Sequence, residues 1–173
     1  MSQTAVIGRA AECFVIDGGR PLQGRIRAAG NKNGALPILA ACLLTSEPVT
    51  LHNVPRIADV ETMLELLNDV GAEVDWTGPN DVQVHAADVT KHELDEELCS
   101  RMRASFLLAG PLLARLGTVS VPPPGGDVIG RRRLDPHIHA FTEIGAQIEV
   151  GRRYEMRGGS LTRHTTSSST RRA

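Results

Sequence analysis

Aromatic residues make up only 3% of this 173-residue chain: three Phe, one Tyr and one Trp. An excess of charge of either sign is missing too, 19 Lys and Arg against 20 Asp and Glu giving a formal net charge of −1. Wholesale nucleic-acid binding needs a basic face and usually stacking rings, so the two shortages together argue against a nucleic-acid partner. Cysteine is sparse: Cys13, Cys42 and Cys99 are odd in number, widely spaced and form no CxxC pair. That excludes a disulfide framework and points to reduced thiols in a cytoplasmic protein. Long hydrophobic runs are missing. The longest, Ala35 to Leu44, is about half a membrane span, and MSQTAVIGRAAECFVIDGG contains no apolar stretch of signal-peptide length. A GxxxxGK[ST] phosphate loop is also absent. What remains, 41% apolar and 23% charged, is the balance of an ordinary soluble globular protein without a membrane partner.

Strand and helix signals alternate along the chain. CFVID and RIRAAG read as short strands around GGRPLQG. NKNGALPILAACLL is apolar on all sides from Ala35 onward and predicts a fully buried helix starting near Asn33 or Gly34, which keeps Pro37 in its first turn. VTLHNV alternates as a half-buried strand. Asp59 is the expected N-cap of a helix carrying Val60, Met63, Leu64, Leu67 and Val70, closed by Gly71. AEVDW and VQVHA form a strand pair, and a longer helix, Glu93 to Arg115, should break at Gly110-Pro111. The pattern then recurs: LLTSEPVTLHNVP, a helix and VGAEV are echoed by LLARLGTVSVPPP, a helix and IGAQI. An internal repeat of βα units follows, each copy needing its neighbour to bury its apolar face, in an α/β or α+β fold. The last stretch, LTRHTTSSSTRRA, is rich in Ser, Thr and Arg without acids and reads as a disordered tail.

Four places carry candidate chemistry. In GNKNGA, Lys32 stands where a strand gives way to a helix, and a helix start with a lysine suits phosphate or carboxylate; a solvated turn lysine fits the same spacing. Arg103, in RMRASF, belongs to an apolar helix and either faces a cleft or snorkels to the surface. VPPPGGDVIGRRRLD cannot be helix or central strand. It holds Asp127 ahead of Arg131, Arg132 and Arg133, which is either a solvated charged loop or an anion clamp with an acid beside it. His137 and His139 make an HxH pair with no third ligand nearby, so no metal site is assigned.

GNKNGALPILAACLL, VPRIADVETMLELLNDVGAEV, MRASFLLAGPLLARLG and PGGDVIGRRRLDPHI, in this order, resemble the UDP-N-acetylglucosamine 1-carboxyvinyltransferases. The resemblance runs from about Phe14 to about Leu161. The sister enolpyruvyl transferase of aromatic amino-acid synthesis is less similar, having another lysine motif and no PGG[CD]xIG loop. The resemblance implies transfer of the enolpyruvyl group of phosphoenolpyruvate to the 3-hydroxyl of UDP-N-acetylglucosamine, early in peptidoglycan precursor synthesis, by a monomer without metal or organic cofactor. It implies a phosphoenolpyruvate site of Lys32, Asn33 and Arg132, and a nucleotide-sugar site of Asn33, Arg103, Arg132, Arg133, Leu134, Asp135 and Pro136. Asp127 stands where most members carry the cysteine that protonates C3 of phosphoenolpyruvate. A carboxylic acid can do the same once held protonated, although adjacent arginines oppose that. Because fosfomycin alkylates the family's thiolate, aspartate there implies resistance to it.

The resemblance also implies a fold: βα repeats of an inside-out barrel, here incomplete. Residues 1–31 are expected as opening strands of the family's second domain, 32–160 as about two of the first domain's three repeats, and 161–173 as the tail. The rest of the second domain, with the family's aspartate base and a second phosphoenolpyruvate-binding arginine, has no counterpart. A frameshift or truncation past Leu161 is the expected reason for that absence and for the resemblance stopping where the tail begins, a deliberately short protein being the alternative. Two functional readings stand: a transferase, or an inactive remnant that at most binds the UDP-sugar weakly and leaves an apolar face uncovered.

Overall fold

Strands form only where a neighbour supplies the other half of each hydrogen bond, and the first strand pair illustrates it. The computed structural model describes residues 4–9, 12–126, 130 and 133–158. β1 (Thr4–Arg9) and β2 (Glu12–Asp17) pair antiparallel, Thr4 opposite Asp17 and Arg9 opposite Glu12. The expected partner of CFVID, the RIRAAG segment, is instead neither strand nor helix. No described strand pairs with it, and Leu22 and Ile26 stand almost fully exposed.

α1 (Lys32–Ala41) is set by Asn31, whose Oδ1 accepts from the Gly34 N–H at 3.1 Å. This cap starts the helix earlier than the sequence suggests. Pro37 therefore lies inside α1 and not in its first turn, with no N–H to give the Asn33 carbonyl. Burial is also one-sided: Leu36, Leu39 and Ala40 are buried, while Ile38 is 52% exposed.

The first repeat is β3 (Val49–Leu51), α2 (Ala58–Asp69), β4 (Glu73–Trp76) and β5 (Val82–His85). Its sheet has the order β3-β5-β4, with β5 antiparallel to both neighbours. The N-cap of α2 is Ile57, not Asp59, and it makes no side-chain cap bond; Asp59 lies in the first turn. The long helix expected next is split. α3 (Glu96–Arg101) is capped by Asp95, Met102 is extended (φ −151°, ψ 143°), a 3-10 helix covers Arg103–Leu108, and α4 is Ala109–Leu116. The break is thus at Met102, and Gly110-Pro111 falls in the first turn of α4, where a missing N–H costs nothing.

The second repeat repeats the plan: β6 (Thr118–Val121), α5 (Asp135–Glu143), β7 (Ala146–Val150) and β8 (Tyr154–Gly158), with the sheet order β6-β8-β7. Both repeat helices end at a glycine in the left-handed region, Gly71 at φ 104° and Gly145 at φ 97°, as the two GA pairs suggested. The core lies between the helices and the inner sheet faces, with Leu39, Leu43, Met63, Leu66, Leu67 and Leu112 fully buried; each such side chain contributes about 1.5–3 kcal/mol. No helix among the described residues is long and apolar enough to cross a membrane.

Candidate functional site

The first turns of several elements meet at one cleft of about 640 Å³. α1 contributes Lys32 and Asn33, α2 contributes Asp59, the 3-10 helix contributes Arg103, and α5 contributes His137. Lys32 is its helix's first residue, so the Asn31 cap fixes where the ammonium emerges. Its Nζ donates to Asp59 Oδ2 at 2.8 Å, both side chains being partly exposed. Arg101, also on the cleft wall, is taken up by Glu97 at 2.6 Å and Glu65 at 3.1 Å, and the Glu97 hydrogen bond raises its pKa further. Arg103 is different. Its Nη2 donates to the Arg133 carbonyl at 3.1 Å, and among the described residues no carboxylate neutralises it. A guanidinium so placed keeps donors for a planar anion.

The PGGD loop enters this site by close approach of backbone. The break at Met102 frees carbonyls of α3, and two of them accept from the loop: Cys99 from the Gly125 N–H at 3.0 Å and Ser100 from the Gly126 N–H at 3.2 Å. A Cβ on Gly125 would lie 1.6 Å from the Ser100 oxygen. The glycines are needed here for that contact. The other foot of the loop is held by Arg103, through the Arg133 carbonyl. One short stretch, Cys99 to Arg103, therefore holds both feet.

Of the residues singled out in the sequence, Lys32, Asn33, Arg103 and Leu134 line the same cleft. Arg133 and Asp135 form a two-pronged pair, Nε to Oδ2 at 2.8 Å and Nη2 to Oδ1 at 3.0 Å, and the guanidinium holds the Asp135 carboxyl below its usual pKa. Asp135 opens α5 and faces a second depression, beside His139; Pro136 follows it in the first turn. Asp127, Arg131 and Arg132 lie outside the described residues, as do residues 161–173. The HxH pair is split: two positions apart on a helix point apart, His137 to the first cleft and His139 to the second. No group of three metal-ligating side chains occurs among the described residues. Burial raises the thiol pKa values of Cys42 and Cys99, the latter to about 11, which disfavours the thiolate form of both.

Three residues of this arrangement were not legible beforehand. Asn31 looked like its neighbour Asn33, Asp59 was read as a cap, and His137 was weighed only as a metal ligand. The spacing of His137 from a helix start at Asp135 is the signal that places it in the first turn.

The family model for EPSP synthase (3-phosphoshikimate 1-carboxyvinyltransferase) matches residues 16–158. The chain belongs to this family. Among curated relatives in the EPSP synthase family, the UDP-N-acetylglucosamine 1-carboxyvinyltransferase of Bradyrhizobium diazoefficiens is 55% identical over 148 residues, covering 86% of this chain and 34% of that protein. The protein of the same name from Treponema denticola is 46% identical over 141 residues, covering 82% of this chain and 33% of that protein. This chain spans about one third of the length of these relatives. The crystal structure of the enolpyruvyl transferase NikO from Streptomyces tendae matches with a TM-score of 0.73 at 23% identity, over 84% of this chain and 32% of that chain. The repeated units are thus part of the enolpyruvyl transferase fold.

Proposed function

We propose that this chain supplies one wall of a site that moves the enolpyruvyl group of phosphoenolpyruvate to the 3-hydroxyl of UDP-N-acetylglucosamine. The observation that carries this reading is the convergence of Lys32, Asn33, Arg103 and both feet of the PGGD loop on one cleft. Its charges suit a substrate pair that is anionic at both ends. Lys32, Asn33 and Arg132 hold phosphoenolpyruvate; Asn33, Arg103 and the run Arg132, Arg133, Leu134, Asp135, Pro136 hold the nucleotide sugar. Asp127 gives its proton to C3 of phosphoenolpyruvate while the sugar oxygen bonds to C2 and releases its own proton. Loss of that C3 proton and of phosphate from C2 then restores the double bond. The names of the relatives support the choice of acceptor sugar, and the cytoplasm is where both substrates are met.

Phosphate release with both substrates tests the reading. Release that depends on UDP-N-acetylglucosamine and disappears in Lys32→Met is the expected result. The relatives' threefold greater length favours one second reading, a chain that binds the UDP-sugar without turnover. Calorimetry separates the two: Arg103-dependent binding with no phosphate release selects the second, and no binding at millimolar ligand refutes both.

A further inference from the structure

β7 is a sheet edge that the rest of the described chain leaves open. In the second sheet, of order β6-β8-β7, the far edge is taken: the Ser120 N–H donates to the His92 carbonyl at 2.8 Å and the Leu94 N–H to the Ser120 carbonyl at 3.0 Å. Among the described residues β7 pairs with β8 alone, from Ala146 opposite Gly158 to Val150 opposite Tyr154. An open edge offers a row of N–H and C=O groups to any further strand, and folds commonly guard it with charge. The first sheet does so. Its corresponding edge strand, β4, reads Glu-Val-Asp-Trp, and two copies paired about Val74 or Asp75 would set acid against acid. β7 has no such guard. An antiparallel pair of β7 strands centred on Ile148, the register that uses the whole strand, sets Gln147 opposite Glu149 and Ala146 opposite Val150. On the exposed face β8 extends the match, because Gln147 lies beside Arg157 and Glu149 beside Glu155. The Glu149–Glu155 row of one copy thus meets the Gln147–Arg157 row of the other. On the core-facing side, Val150, which is 61% exposed, would gain the second copy's Ala146 as its neighbour, and the half-buried Ile148 would meet its own counterpart.

We propose that β7 is a self-association edge: two copies of this chain pair antiparallel through it about a two-fold axis at Ile148, joining their second sheets into one. The same strand serves both copies, so the contact closes at a dimer. A monomer is what the family resemblance implies, and this edge departs from it. The inference stands apart from the transferase reading, since no residue of β7 lines the cleft of Lys32 and Arg103.

Sedimentation equilibrium of the full chain from about 1 μM to 1 mM tests it, a short edge-to-edge contact belonging to the weak class of interfaces. Wild type should fit a monomer–dimer equilibrium within that range. Gln147 and Glu149 are both exposed, so charge can be changed there without entering the core. Gln147→Glu sets acid against acid twice in the symmetric dimer and should weaken association about tenfold. Gln147→Lys sets opposite charges together twice and should strengthen it by a similar factor. The exchanged chain, Gln147→Glu with Glu149→Gln, again places an amide opposite every acid and should associate as wild type does. All three variants should melt close to the wild-type temperature. A wild-type chain that stays monomeric to about 1 mM overturns the proposal, as does association beyond a dimer. A dimer indifferent to charge at position 147, or moved the same way by both charges, also overturns it, the contact then lying on another surface such as the exposed Leu22 and Ile26. Failure of the exchanged chain to recover the association lost in Gln147→Glu refutes the register centred on Ile148, and the proposal with it.

Discussion

Replacing Gly125 by alanine adds one methyl group where the chain has no space for it. The new Cβ would lie 1.6, 2.4 and 2.8 Å from the oxygen, carbon and Cα of Ser100. All three are backbone atoms, so no rotamer change relieves the clash. Ordinary carbon contacts are near 3.5 Å or more, so the loop must retreat by about 2 Å. At that distance the hydrogen bonds from Gly125 to Cys99 (3.0 Å) and from Gly126 to Ser100 (3.2 Å) are gone. Each is worth about 1 kcal/mol, so Gly125→Ala should cost about 2–3 kcal/mol and lower Tm by roughly 4–10 °C. Arg103 adjoins the same contact, a Cβ on Gly126 being 3.0 Å from its backbone nitrogen, so UDP-sugar affinity should fall as well. Gly34→Ala is the matched control. Gly34 lies in the first turn of α1 with nothing within 4 Å of an added Cβ. The same methyl there should stabilise by up to about 1 kcal/mol through helix propensity. Urea titration of both variants decides the matter. A Gly125→Ala midpoint equal to wild type would refute the claim that the loop is seated by close backbone contact.

Three further outcomes follow from the structure. Met102→Ala should cost about 2–5 kcal/mol in urea titration, because the side chain is only 2% exposed at the break between α3 and the 3-10 helix. Asp135 should titrate below the ordinary 3.8, since Arg133 favours its charged form. A lowered carboxyl pKa stabilises above its unfolded value and loses that contribution as pH falls through the folded one, so the effect is confined to acid below 3.8; Arg133→Gln should bring the NMR midpoint up toward it. Cys42 and Cys99 should stay unmodified by iodoacetamide in the native chain, and fosfomycin, which needs a thiolate, should leave the protein unaltered by mass spectrometry. An adduct at stoichiometric fosfomycin would count against Asp127 as the substitute for the family's thiol.

Local features were legible from sequence and long-range ones were not. The stripe Val60, Met63, Leu64, Leu67 predicted α2, and Gly71 predicted its end, because helix period and the left-handed cap are properties of adjacent residues. The break at Met102 was missed because its cause is distant: the loop glycines take carbonyls that a continuous helix would use. RIRAAG was read as a short strand after the turn GGRPLQG, but a strand needs a partner and none comes among the described residues. β8 was overlooked because Arg and Glu flank Tyr154 and Met156, although the latter is fully buried against β6 and β7. At the site, Lys32 and Arg103 were identified by motif, whereas Asp59 and His137 enter only through where their helices start.

The repeat explains why those starts matter. α2 and α5 hold the same place in units of the same sheet order, yet α2 buries six residues and α5 none. α2 is covered by α1, α3 and the 3-10 helix, whereas α5 packs chiefly on β7. Both the neighbours and the side chains differ, Met63 of α2 standing where α5 has His137. What the units share is the direction of their helices. The first turns of α1, α2 and α5 all open on the cleft. A helix start carries free N–H groups and about half a positive charge, so three of them favour anions before any side chain is counted. On that common background the units diverge. The first turn of α2 brings Asp59, which occupies Lys32, and that of α5 brings His137, which bonds to no side chain among the described residues. The three helix starts thus supply the field of the site, and the side chains of single first turns supply its chemistry.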